Sequence, residues 1–176
     1  MTNKTKNTGF TLIETLVAVL ILASAIAGPL TIASKGLTAA NVAKSQTTAQ
    51  FLAQDALEYV RFVRDSNRLA GNSDWLARLR VGGCVSADGS AACVVDTLAD
   101  TITTCGGTIC PTFVYQGGAA SIFTRTISIQ TPVGANDCVG TNGCEAIVKV
   151  VVSWKDNINA VTGHQVVVLE NILNWQ

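Results

Sequence analysis

Histidine is almost missing from this 176-residue chain: His164 is the only one, and it stands far from every cysteine. No His-Glu pair sits on a helix, no serine or cysteine lies beside a recognisable base, and the glycines form no loop of the kind that cradles phosphate, so the familiar catalytic patterns are absent. Net charge is absent too, because twelve basic side chains balance twelve acidic ones. Without a basic stripe interleaved with aromatics there is no footprint for nucleic acid. Proline occurs only three times, which leaves long stretches free to form uninterrupted elements. Long apolar runs are confined to the first thirty residues, and the rest is rich in Thr, Ser, Val, Gly and Asn. That remainder reads as one modest β-rich domain with an apolar appendage before it.

Cysteine is missing from the first 83 residues. All six, Cys84, Cys93, Cys105, Cys110, Cys138 and Cys144, fall after residue 80. An even number confined to the loop-rich part implies disulfides and an oxidising compartment. Local pairing is expected, Cys84 with Cys93, Cys105 with Cys110 and Cys138 with Cys144, because each pair brackets a short Gly- or Asn-bearing loop. A metal site is the competing reading. The spacings of eight, four and five intervening residues do not form paired CxxC knuckles, however, and no metal or other cofactor is expected. Asp88, Asp137 and Asp156 lie in loops where calcium is one conceivable occupant. They lack the ordered oxygen spacing of an EF-hand, so their expected role is turn formation.

The apolar run is GFTLIETLVAVLILASAIAG, Gly9 to Gly28. Residues 10 to 27 as a helix measure about 27 Å, close to the roughly 30 Å hydrocarbon core of a membrane. Lys4 and Lys6 precede it and favour a cytoplasmic N-terminus, which puts the cysteines outside. A secretory signal peptide has the same general layout. Here the stretch is long for such a peptide, contains the acid Glu14, and is followed by a pattern that stays helical. A plain signal anchor accounts for everything except Glu14 and the Gly9-Phe10 junction.

At those residues the sequence resembles the leader of type IV pilins and of the pseudopilins of type II secretion systems. The string Gly9-Phe10-Thr11-Leu12-Ile13-Glu14 ahead of an apolar helix carries the resemblance, over about twenty residues. The resemblance implies cleavage by a prepilin peptidase after Gly9, N-methylation of Phe10, and an assembly role for Glu14 at the fifth position after the cut. An acid inside lipid costs about 2.5 to 3.5 kcal/mol and so requires a partner. By this resemblance the expected partner is the amine of Phe10 on a neighbouring subunit, and the pairing would draw each new subunit into register.

The rest of the chain is expected to follow a helix-then-meander order. Gly28-Pro29 should kink the helix, and Gly36 should loosen it again. Leu52, Ala56, Tyr59, Val60 and Val63 fall on one face and should cover a sheet. Glu58, Arg61, Arg64, Asp65 and Arg68 alternate in sign at spacings of three and four and read as a solvated face. The helix should end near Ala70-Gly71-Asn72. Residues 71 to 111 hold little pattern beyond a helical turn around Trp75 to Arg80. Strands are expected at Thr112 to Gln116, 121 to 131, 145 to 154 and HQVVVLENIL, with the edge near Arg125 wet. The 145 to 154 strand should set Ala146, Val148, Val150, Val152 and Trp154 on one face.

The expectation is therefore an α+β chain in which a long N-terminal helix, transmembrane in its first half and amphipathic in its second, packs on a C-terminal antiparallel sheet in the manner of a pilin. Its parts are a leader at 1–9, a membrane span at 10–30, an amphipathic helix at 31–70 and a disulfide-bearing ectodomain at 71–176. The VKVVVSWKD hairpin is loosely similar to those of minor pilins of the PilV and GspI type. By this resemblance the chain is a non-enzymatic minor pilin or pseudopilin, held in the inner membrane and then built into a filament. Its implied partners are other pilins, the prepilin peptidase and methyltransferase, an inner-membrane assembly platform and lipid, without nucleic acid. The alternatives are an adhesin or DNA-uptake pilin whose ectodomain binds a ligand, and a permanently anchored single-span ectodomain.

Overall fold

The computed structural model describes residues 9, 11–105, 110, 121–131, 144–155 and 163–174. Two compact units divide the chain, Met1–Ala43 and Lys44–Gln176. A single helix, α1 (Leu12–Leu69), supplies most of the first and the opening element of the second.

In the first unit, α1 starts at Thr11, whose carbonyl and hydroxyl both accept from the Glu14 amide, at 3.1 and 3.4 Å. A threonine there satisfies one of the amide groups that a helix start leaves without an intrahelical partner. The helix continues through Pro29, where the sequence leads one to expect a kink. One missing donor does not end a helix whose neighbouring turns are intact, and the hydroxyl of Thr31 donates to Ala27 O across that turn at 2.9 Å.

In the second unit, Ala49, Ala53, Ala56, Val60, Val63 and Asn67 are buried. Steps of four and three place them on one helix face, and the three alanines let that face come close to the sheet. Tyr59 is buried with them, while Leu52 lies at the border, packed on the core but partly exposed. Gly71 (φ 73°) then closes α1, and the Asn72 amide returns to Asn67 O at 2.9 Å. The Asn67 side chain donates to Trp75 O at 3.0 Å, which fixes the turn into a short helix, α2 (Ala77–Val81). Trp75, Leu76 and Leu79 are fully buried there.

Six strands follow among the described residues: β1 (Val85–Ser86), β2 (Cys93–Asp96), β3 (Thr101–Thr104), β4 (Phe123–Gln130), β5 (Glu145–Trp154) and β6 (His164–Leu173). The sheet order is β3-β2-β4-β5-β6, all antiparallel, with β1 added in parallel beside β4. Ile127 faces Val150, and Val150 faces Val168, so the alternating apolar residues of three strands meet on the face that α1 covers. Ala146, Val148, Val150, Val152 and Trp154 are all buried there. Each valine or isoleucine so covered contributes about 1.5 to 3 kcal/mol.

Three expectations require correction or restriction. Residues 71–111, which look patternless, contain α2 and three strands, held together by a Cys84–Cys93 disulfide with a Cα separation of 4.9 Å. Gly83 (φ 73°) is needed beneath β3, because a Cβ there would come within 2.6 Å of Thr104 Cγ2. Arg125, expected at a wet edge, is fully buried in the middle of the sheet. The strand expected at 112 to 116 lies outside the described residues.

Candidate functional site

Two regions carry polar groups in arrangements that ask for an explanation. The first is the start of α1. Gly9 is exposed, with open space around it among the described residues. Phe10 lies outside the described residues. Glu14 sits in the first helical turn, where a carboxylate complements the amide ends of a helix. Beyond it, no side chain from Thr11 to Asn41 is covered, and Leu12 and Ile13 are 82% and 71% exposed. Leu12, Leu16, Val19, Leu20 and Ala23 form one continuous apolar side of this segment.

The few hydroxyls in this stretch turn inward on their own helix. Thr15 donates to Leu12 O at 2.8 Å, Ser24 to Ile21 O at 2.9 Å, and Thr38 to Ser34 O at 3.1 Å. A helix in hydrocarbon must satisfy its polar groups internally, and these do. By length and composition α1 is able to cross a membrane.

Residues 4–28 match the prokaryotic N-terminal methylation motif. No curated protein and no solved structure matches the chain. The motif supports a type IV pilin-like prepilin, processed at its N-terminus, and points to a structural rather than an enzymatic subunit. Its natural associates are other pilins and the prepilin peptidase. Together with the apolar helix it supports a membrane-anchored, single-span protein.

The second region lies in the second unit, where α1 meets the β2–β3 turn. Arg125, reaching up from β4, donates to Leu52 O at 3.1 Å, to Asp55 Oδ2 at 2.5 Å and to Val95 O at 2.6 Å. One guanidinium thus ties the helix to two strands. Asp55 also accepts from the Thr97 hydroxyl at 3.0 Å. Next to it the Tyr59 hydroxyl donates to Asp100 Oδ1 at 2.8 Å, and Arg78 pairs with the same oxygen at 2.7 Å. Burial, reinforced by the bond to Asp100, pushes the Tyr59 phenol well above its ordinary pKa. Bonds from Arg78 and then Tyr59 hold Asp100 below the usual carboxylate value. Asp55, Glu58, Tyr59, Phe62, Thr97 and Asp100 line an open depression of about 470 Å³. Asp55 and Asp100 join elements here, while Glu58 pairs with Arg61 one turn along α1, so the arrangement braces the fold.

The cysteines form local bridges in the described part. Cys84 joins Cys93, and Cys105 joins Cys110 with a Cα separation of 4.7 Å. Cys144 is disulfide-bonded as well, and its expected partner Cys138 lies outside the described residues. Among the described residues no group of three or more His, Cys, Asp or Glu is placed to hold a metal. Asp88 accepts from the Ser90 amide at 3.0 Å and from its hydroxyl at 2.7 Å, and these bonds bring its pKa down to about 2. Such an arrangement is a side-chain-closed turn. Asp137 and Asp156 lie outside the described residues.

The presumed solvated face of α1 is only partly so. Arg61 bridges Glu58 and, on β6, Glu170 at 2.5 Å, and Arg64 reaches Leu173 O at 3.5 Å. Sequence reasoning missed the Arg125–Asp55 pair altogether. Its signal was the parity of Arg125 with Phe123, Ile127 and Ile129, which buries it unless the strand is interrupted.

Proposed function

We propose that this chain is a minor pilin or pseudopilin. Prepilin peptidase cuts it between Gly9 and Phe10, Phe10 becomes N-methylated, and an inner-membrane platform builds the subunit into a type IV pilus or a secretion pseudopilus. Leader, membrane span, amphipathic helix and ectodomain correspond to residues 1–9, 10–30, 31–70 and 71–176, with the N-terminus cytoplasmic and the ectodomain outside. Cys138 and Cys144 close the loop before β5. The single observation that carries this reading is the methylation motif at the head of a helix whose apolar surface is exposed among the described residues. Such a surface demands first lipid and then neighbouring helices.

Glu14 is the assembly contact, neutralising the Phe10 amine of the adjacent subunit. Removing an acid from a membrane helix lowers the insertion cost by about 2.5 to 3.5 kcal/mol, so Glu14→Ala should insert at least as well as wild type and fail only at incorporation. Crosslinking to partner pilins at matched membrane abundance measures this. Equal incorporation of the two alleles refutes the role of Glu14, and assembled material that retains Met1 refutes the pilin reading as a whole.

A further inference from the structure

The loop from β1 to β2 carries the chain's single Asp-Gly dipeptide, Asp88-Gly89. In such a pair the glycine nitrogen is able to attack its neighbour's side-chain carboxyl, since glycine has no side chain to crowd its own amide. The Gly89 nitrogen gives up its proton and bonds to Asp88 Cγ, and one carboxyl oxygen leaves as water. The cyclic imide so formed then takes up a water. Opening at one carbonyl restores aspartate, and opening at the other leaves isoaspartate, in which the main chain runs through the side-chain carbon. One water leaves and one returns, so the change is an isomerisation that needs no oxidant and no cofactor.

The folded loop engages that carboxylate. Asp88 Oδ1 accepts from the Ser90 amide at 3.0 Å and from the Ser90 hydroxyl at 2.7 Å. Both donors belong to the residue beyond the attacking nitrogen, so they draw the carboxylate past Gly89 and favour its ionised form. Imide formation needs the neutral carboxyl, because an ionised one has no water to release. With the Ser90 bonds bringing the Asp88 pKa down to about 2, few carboxyls are neutral above that pH. The loop around them is pinned as well. The Cys84–Cys93 disulfide joins its ends, the Ala91 amide donates to Ser86 Oγ at 3.0 Å, and Ser86 pairs with Gln130 of β4. A Cβ on Gly89 would come 3.3 Å from Gln130 Cβ, so the turn lies close against that strand.

We infer that Asp88-Gly89 is a latent modification site, a position where isoaspartate forms, and that Ser90 holds it in check in the folded protein. The guard works only while the turn is closed. A chain whose loop has opened presents the bare dipeptide, so isoaspartate at position 88 records time spent unfolded. Once formed it inserts an extra main-chain carbon into a loop closed by a disulfide, two residues past the end of β1. Return to the native turn is then obstructed, because the carboxylate that Ser90 recognises has moved to a different carbon.

The test incubates the full chain in detergent micelles at mildly acidic pH beside the free peptide VSADGSAA, residues 85–92. After reduction, digestion with a protease that cuts before aspartate but not before isoaspartate, followed by mass spectrometry, reads the fraction converted at position 88. Mapping by residue also separates this signal from deamidation at Asn142-Gly143. The folded chain should convert at least about tenfold more slowly than the peptide, in line with its smaller neutral fraction. Ser90→Ala removes the hydroxyl bond and keeps the amide, so it should convert about threefold faster than wild type, with the urea midpoint unchanged. Ser90→Thr keeps a hydroxyl and should convert at the wild-type rate. Conversion in the folded wild type as fast as in the peptide overturns the guard, and equal rates for Ser90→Ala and wild type overturn the part given to Ser90. A peptide that forms no isoaspartate overturns the site itself.

Discussion

Replacing Asp55 by alanine isolates the buried guanidinium of Arg125, and the structure indicates the size of the effect. Arg125 is fully buried and Asp55 is 37% exposed. Removing one member of a buried pair costs about 3 to 5 kcal/mol. Here water screens the exposed acid, and Leu52 O and Val95 O continue to accept from the arginine, so the expected loss is about 2 kcal/mol. For a domain of this size that lowers Tm by about 8 °C. Arg125→Met retains the apolar stem and removes the charge. In that background Asp55→Ala should cost under about 0.5 kcal/mol, because no stranded cation remains. Urea unfolding of the full chain in detergent, followed by the fluorescence of buried Trp75 and Trp154, measures all four corners of the cycle. If Asp55→Ala unfolds within about 0.5 kcal/mol of wild type, or the cycle shows no coupling, the guanidinium is not held by this pair and the reasoning fails.

Three further outcomes are expected. Opening the Cys84–Cys93 bridge by Cys84→Ser with Cys93→Ser should cost about 2 to 3 kcal/mol from the freed loop, read as a lower urea midpoint with α1 helicity intact in far-UV dichroism. The raised Tyr59 phenol links stability to alkaline pH: its contribution is full below the ordinary phenol pKa of about 10 and is lost as pH rises from there through the folded value, so Tyr59→Phe should lower stability near neutral pH and flatten its dependence on pH in the alkaline range. Gly83→Ala should destabilise through both its positive φ and its approach to Thr104, whereas Gly9→Ala leaves folding unchanged, a contrast that thermal melts of the two variants test directly.

The parts of the fold that were legible in the sequence are those with a period. The three-and-four spacing through Ala56, Val60 and Val63 names the covered face of α1, and the alternation of Ala146, Val148, Val150, Val152 and Trp154 names the inner face of β5. β1, with two residues, and β3, with four, are too short to show a period, so residues 71–111 look featureless until the neighbouring strands define them. Parallel pairing of β1 with β4 depends on a chain path that no local pattern encodes. Arg125 was misjudged because its charge was weighed above its parity, and only Asp55, seventy residues earlier in the chain, makes its burial tolerable. At the N-terminus the reverse holds: Gly9, Phe10 and Glu14 are recognisable as a string, while the fold of a single chain carries no information on contacts between subunits.

Neither sulfur of the Cys84–Cys93 bridge is reachable from solvent, since both residues are fully covered in the folded domain. An oxidant acts only on thiols it can touch. The bond therefore has to be made while α2, β1 and β2 are still apart, and a chain that closed its core first would seal two thiols inside. Redox supply thus acts on the newly made chain as a deadline: oxidation that arrives late meets a closed domain, and the unbridged form persists until the domain reopens.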